Sequence, residues 1–314
     1  MKKKPDVILG KGGPSAQGWH KIQSFLQCPK KFQLQEVRKV SEPLASTPDH
    51  FAIGIMFHAG RARWFSRRFK NDEETWQSIA DAVREAVEEL DLPVSHRAEQ
   101  MALKHLHAYV EHYSLRPLPD PVAAEYLVGP APVVAGDTRF LRTARLDDVS
   151  RYPEAGGKLC LGESKTTSTS AGDCVNEYTL NGQPLLQLIL WKNSPEGEAK
   201  YGPVAGIMLD VTKKGYGKER PSFSRVFIDV NEDTLKWYAD SLRDYLEVAS
   251  TVDWDSVVPR NVTACTYLAG RMRVACQFRD LCRHGAAASG KYVLPGGKSL
   301  KDKAAWKGET PPWL

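Results

Sequence analysis

Two stretches decide the fold: Arg145-Leu146-Asp147-Asp148-Val149, and Leu159-Cys160-Leu161-Gly162-Glu163-Ser164-Lys165. Both read as strands, over 140–149 and 158–165. Side chains alternate faces along a strand, so Glu163 and Lys165 share one face and Ser164 points away. Asp147 and Asp148 point oppositely, and only one of them can join that pair. If the two strands form a hairpin, an Asp, a Glu and a Lys converge at one end of a sheet. Carboxylate oxygens are hard donors that suit Mg²⁺ or Mn²⁺. Such an ion neutralises phosphoryl charge and helps to generate hydroxide. A neighbouring Lys can hold the attacking water or stabilise developing charge. A Glu-x-Lys pair is common on surface strands, so these residues gain weight only from their surroundings.

Outward from this pair the pattern is consistent. A strand over 122–128 precedes it. A helical stretch over 180–192 follows, then strands over 204–211 and 222–230. An amphipathic helix over 231–248 carries Leu235, Trp237, Tyr238, Leu242 and Tyr245. Towards the N-terminus, Ile22, Phe25, Leu26 and Phe32 mark a helical stretch over 17–40 that Pro29 interrupts. Further helices are expected over 50–69, with Ile53, Phe57 and Trp64 as core positions, and over 75–90 and 95–113. Pro117, Pro119 and Pro121 close the helical region. The order implies an α/β protein with a mixed central sheet flanked by helices, and with the N- and C-terminal segments packed together. A single domain is expected over 17–284, with a helical part over 17–120, a sheet core over 121–250 and a cysteine-rich part over 251–284. Residues 1–16, rich in Lys, Gly and Pro, are expected to be disordered. Residues 285–314 are expected to form a flexible tail.

Composition narrows the class. With 314 residues, 42% of them hydrophobic, the chain can bury a sizeable core. No apolar run is long enough for a membrane span, and the basic start lacks the apolar segment of a secretory signal. A cytoplasmic protein without membrane contact is expected. The net charge of +5 is compatible with a polyanionic partner.

Taken in order, the motifs resemble the PD-(D/E)XK nucleases of the RecB-like branch, including iron–sulfur exonucleases of bacterial, phage and CRISPR-associated type. Phe25-Leu26-Gln27-Cys28-Pro29-Lys30-Lys31-Phe32 looks like the family's Cys-Pro-x-x-Phe helix. Gly54-Ile55-Met56-Phe57-His58 resembles its Gly-x-x-x-His, and Glu125 sits where these proteins often carry a Glu. Asp147 and Glu163-Ser164-Lys165 match the Asp and the E-x-K. Ala144 stands where the family has Gly, and its spacing selects Asp147 over Asp148. Gln187-Leu188-Ile189-Leu190-Trp191 resembles Gln-x-x-x-Tyr. The resemblance implies a restriction-endonuclease-like fold and a Mg²⁺- or Mn²⁺-dependent deoxyribonuclease with Asp147, Glu163 and Lys165 catalytic. It implies metal ligation by His58, Asp147 and Glu163, and DNA contacts from Gln187 and Trp191. The substrate it implies is DNA, single-stranded or with ends, cut by an exonuclease. A non-catalytic DNA-binding or scaffold protein and a site-specific endonuclease are the alternatives.

Six cysteines complete the inventory. Cys28, Cys265, Cys276 and Cys282 form one set, and Cys276-x₅-Cys282 resembles the C-terminal cluster motif of the iron–sulfur nucleases. Four soft thiolates suit [4Fe–4S] or Zn²⁺. Structural zinc sites usually show tight C-x₂₋₄-C pairs, which are lacking here, so the cluster is the stronger expectation and zinc the weaker. Cys160 is expected in the core. Cys174 falls in a polar loop.

Overall fold

A computed structural model of the chain describes residues 6–7, 18–42, 47–66, 73–90, 93–135, 138–179, 181–215, 219–256, 258–269, 272–294 and 299–300. The chain divides into two compact units: Met1–Gly18, Ala45–Val134 and Arg139–Ser241 form the first, and Trp19–Leu44, Ala135–Thr138 and Leu242–Leu314 the second.

In the first unit, α3 (Asp49–Ser66), α4 (Glu73–Glu88) and α5 (His96–Ser114) make a helical layer. It follows α1 (Trp19–Gln27) and α2 (Pro29–Phe32) of the second unit in the chain. Helix α5 buries Ala98, Ala102, His105, Leu106, Tyr109, Val110 and Tyr113, the three-and-four spacing of one helix face. Its start is fixed by Ser95, whose Oγ accepts the Ala98 N–H at 3.1 Å. Helices α3 and α5 approach closely at Gly60, where a Cβ would lie 2.4 Å from Leu106 Cδ1. The seam holds Phe57, Trp64, Ile79, Val83, Leu106 and Tyr109, all buried.

The sheet has six strands in chain order: β1 (Asp6–Val7), β2 (Asp120–Ala135), β3 (Thr138–Tyr152), β4 (Lys158–Thr167), β5 (Gly206–Lys213) and β6 (Ser222–Asp229). Strand β1 falls inside the stretch expected to be disordered, and it pairs parallel with β2 at Asp6↔Ala123 and Val7↔Ala124. The β3–β4 and β5–β6 pairs are antiparallel and β4–β5 is parallel, so the sheet is mixed. It is the helix-flanked mixed α/β sheet of the restriction-endonuclease-like class. Parallel pairing of β4 with β5 requires a crossover. It is built from α6 (Ala171–Thr179), α7 (Gly182–Asn193) and α8 (Glu198–Tyr201). Helix α6 replaces the polar loop expected around Cys174. The Ser170 Oγ accepts the Asp173 N–H at 3.1 Å, capping the helix, and Cys174 is buried on its inner face.

In the second unit, Cys28 precedes α2 and Pro29 opens it, so the proline ends α1 and starts a new helix. A π-helical turn, Gln33–Val37, follows. Trp254 packs against Phe25 and Phe32 with ring centroids 6.0 and 4.9 Å away. It lies just beyond α9 (Glu232–Thr251), the helix in which the two units meet in sequence. The hairpin of β7 (Thr266–Ala269) and β8 (Met272–Ala275) leads into α10 (Arg279–His284). Described residues of the stretch expected to be a tail contribute to a core. Tyr292 and Leu300 are buried with Leu34, Val40, Phe278 and Leu281, and Val293 bridges to Ser41 and Ser299. Apolar spacing here is too sparse to signal a periodic element, yet these side chains find a core contributed from 250 residues upstream. The rest of the expected tail, 301–314, lies outside the described residues.

Candidate active site

Strands β3 and β4 pair from Tyr152↔Lys158 up to Asp148↔Gly162. One step further the link is made by a side chain: the Ser164 N–H donates to Asp147 Oδ2 at 2.7 Å. The Asp147 carboxylate therefore sits in the fork between the two strands. On α3, His58 Nδ1 lies 3.4 Å from the same Oδ2. Glu125 on β2 completes the group: one ligand atom each from His58, Glu125 and Asp147 lie within 4.8 Å of one another. Glu125 has φ +47°, a left-handed conformation uncommon for a residue with a side chain. Strained backbone of this kind clusters at functional sites, and here it aims a carboxylate at the fork.

Beside this group, Lys165 Nζ lies 2.5 Å from Glu163 Oε1 and 5.1 Å from the Tyr178 ring centroid. Glu163 accepts from Gln183 Nε2 at 2.6 Å and from Gln187 Nε2 at 2.9 Å. Gln183 and Gln187 lie one turn apart on α7, which is why both reach the same carboxylate. The structure thus brings His58, Asp147, Glu163 and Lys165 to one end of the sheet. The tight carboxylate–imidazole group contains Glu125, while Glu163 is held by two amides and an ammonium. Glu125 was legible only through the family resemblance, because a Glu inside an apolar strand carries no local signal of its function.

The two residues expected at the DNA are both enclosed. Gln187 is buried and spends its amide on Glu163 and on the Arg145 carbonyl at 3.4 Å. Trp191 is fully buried, donates to the Gly202 carbonyl at 3.1 Å and stacks on Tyr201. Both side chains thus make their hydrogen bonds within the first unit.

The electrostatics follow from crowding. Burial pushes Glu125 up, the Asp147 carboxylate pushes it further, and its pKa reaches about 7 from an ordinary 4.5. Burial opposes ionisation of Asp147 too, but His58 and Lys165 outweigh it and hold that carboxyl well below its usual range. Burial disfavours protonated His58, yet Asp147 overcomes it and the pKa rises. Lys165 likewise stays above its ordinary value because Glu163 offsets burial, so it is an ammonium at neutral pH. Two carboxylates and an imidazole, partly buried and with one carboxyl driven towards protonation, form a donor set that fits a divalent cation. Protons and metal compete for it. The stability that protonated Glu125 lends the metal-free protein is full below its unfolded pKa of about 4.5 and is lost as pH rises through about 7. The gain in melting temperature on adding Mn²⁺ is therefore expected to grow from pH 6 to 8. Calorimetry in buffers of different ionisation enthalpy should register proton release near pH 6.5. A pH-independent metal response would remove Glu125 and His58 from the ligand set.

In the second unit, Cys28, Cys265, Cys276 and Cys282 line one small, partly open hollow, with Lys31, Arg260 and Arg279 at its wall. All four are free thiols. The Asn261 N–H points at Cys28 Sγ over 3.4 Å, and the Cys276 N–H donates to the Cys265 carbonyl at 2.9 Å. Burial pushes the Cys276 thiol up and the Cys282 thiol to about 11. Among the described residues no three of these sulfurs come within 4.8 Å of one another. Cys160 and Cys174 are both buried in the first unit.

A mixed sheet with an Asp in a strand fork, a Glu-x-Lys on the next strand and a clustered carboxylate–imidazole group defines a metal-dependent phosphodiesterase of nuclease type. The family model of the PD-(D/E)XK nuclease superfamily matches residues 19–283, and the chain belongs to that superfamily. It is accordingly a nuclease, a hydrolase of phosphodiester bonds that uses divalent metal and takes nucleic acid as substrate. No curated protein matches the chain. Among solved structures, that of SSO0001 is similar at 14% identity over 72% of this chain and 86% of its own, with a TM-score of 0.29, a likeness too slight to carry any argument. Among the described residues no helix is long and apolar enough to cross a membrane.

Proposed function

We propose that the protein is a Mg²⁺- or Mn²⁺-dependent deoxyribonuclease that hydrolyses DNA from its ends and carries a [4Fe–4S] cluster. The observation that carries the nuclease chemistry is the meeting of His58, Glu125 and Asp147 beside the Glu163–Lys165 pair. The three clustered residues would hold the divalent ion, with Glu163 beside them. Bound there, the ion supplies charge neutralisation at the phosphoryl group and a more acidic water. Lys165, protonated and steered by Glu163 and Tyr178, offers N–H donors to the attacking water and to charge developing on phosphate. Gln183 and Gln187 fix the Glu163 carboxylate, so that little reorganisation is needed as the reaction proceeds.

Preference for ends, and for DNA, is supported by the ordered motifs shared with the end-processing branch. End-labelled linear and circular DNA, single- and double-stranded, with Mg²⁺ and with Mn²⁺, tests it. Linear molecules should shorten from an end while circles survive. Cut circles would favour the endonuclease reading, and binding without cleavage the scaffold reading.

The cluster reading is supported by the four thiols lining one hollow and by the likeness of Cys276-x₅-Cys282 to the C-terminal motif of the iron–sulfur nucleases. Anaerobically purified protein should be brown, with about four iron and four sulfide per chain. Cys276→Ser and Cys282→Ser should bleach it and lower its melting temperature, because ligation ties α2 to the C-terminal segment. Cys160→Ser and Cys174→Ser should keep the colour. Colourless protein with stoichiometric zinc would replace the cluster by a zinc staple.

A further inference from the structure

Next to the metal-ligand group lies a polar network closed off from water. Arg61, 1% exposed, donates from Nη2 to Asp148 Oδ2 at 2.8 Å and to Asp210 Oδ2 at 3.3 Å, and from Nε to Tyr109 Oη at 3.1 Å. Asp148, 0% exposed, takes two further hydrogen bonds on Oδ1, from Ser150 Oγ and Tyr152 Oη, each at 2.7 Å. Asp210 also accepts from Tyr109, from Arg225 Nε at 3.1 Å and from Tyr113 Oη at 3.4 Å. Two guanidinium groups thus balance two carboxylates. Satisfied in this way, the charges need not neutralise by shifting protons.

The placement of one pair is informative. Arg61 lies one turn after His58 on α3, so the two share a helix face. Asp148 is the residue after Asp147 on β3. The Arg61–Asp148 pair therefore joins, by a buried charge-assisted hydrogen bond, the same two elements whose side chains His58 and Asp147 meet at the metal site. Gly162 confirms how little slack there is: a Cβ there would stand 2.1 Å from Asp148 Oδ2. Gly162 in turn immediately precedes Glu163.

We infer that Arg61 and Asp148 are a positioning pair for the nuclease site: by locking α3 to β3 they set the spacing of His58 and Asp147, and with it the affinity for the divalent cation. The inference rests on the metal site proposed above. Groups that orient metal ligands typically change affinity by about 10–100-fold when removed. A role confined to folding would lower stability and leave the affinity of the folded protein alone.

The test is Mn²⁺ binding to the full chain, read from the electron paramagnetic resonance of free ion, with folding checked by circular dichroism in each sample. Asp148→Asn and Arg61→Lys should raise the Mn²⁺ Kd at least about tenfold. Tyr113→Phe removes a hydroxyl from the Asp210 side of the network and should leave the Kd within about twofold. Ser150→Ala with Tyr152→Phe keeps both charges but frees Asp148 Oδ1, and it carries the test if the charge variants do not fold. Its Kd should rise several-fold. Folded Asp148→Asn binding Mn²⁺ as wild type does, or Tyr113→Phe weakening binding equally, would overturn the inference. Failure of the wild-type chain to bind Mn²⁺ would instead remove the metal site itself.

Discussion

Lys165→Ala is expected to reduce DNA cleavage by at least about a hundredfold to a thousandfold, the scale on which single transition-state donors act. The fold should survive, since the side chain is 25% exposed and its loss strips only one of three partners from Glu163. Glu163→Gln should be comparably inactive while keeping its shape among Gln183, Gln187 and Lys165. The measurement is single-turnover cleavage of labelled DNA at saturating Mg²⁺, beside a circular-dichroism melt. Because Lys165 is held protonated, its removal should lower the rate at every pH from 6 to 9. Wild-type-like cleavage by Lys165→Ala would dismiss the Glu-x-Lys assignment.

Asp148→Ala is expected to destabilise the protein by about 3–5 kcal/mol, the usual cost of breaking a buried ion pair from one side. The carboxylate is fully buried and receives three hydrogen bonds, so truncation leaves Ser150 and Tyr152 without an acceptor and Arg61 with Asp210 as its remaining carboxylate. Against the 5–15 kcal/mol typical of a folded domain, such a loss should lower the urea midpoint markedly. From the sequence, Asp148 is the dispensable member of the Asp-Asp pair. In the structure it bears no part of the metal group yet anchors the core behind it. A urea midpoint within experimental error of wild type would show that Arg61 is fully satisfied by Asp210 and Tyr109.

Neighbours in sequence thus acquire opposite roles. Period-two alternation states that Asp147 and Asp148 diverge, but not which one is solvated and which one meets an arginine. That assignment depends on α3, whose Arg61 lies 87 positions earlier.

What the sequence determined by itself is local or patterned. Helices α3, α4 and α5, the strands β3 to β6, the break at Pro29 and the shared face of Glu163 and Lys165 follow from periodicity, capping and proline geometry, all of which act over a few residues. The order of motifs likewise sufficed for the nuclease superfamily. What only tertiary structure decided is long-range. Glu125 joins His58 and Asp147 because a left-handed residue turns it into the fork. Gln187 and Trp191 turn inward because α7 is buried from Pro184 to Trp191. Tyr292 and Leu300 are buried because they pack into a core with Leu34 and Val40 from the other end of the chain. Burial of this kind is a property of where distant segments meet, and no window of sequence contains it.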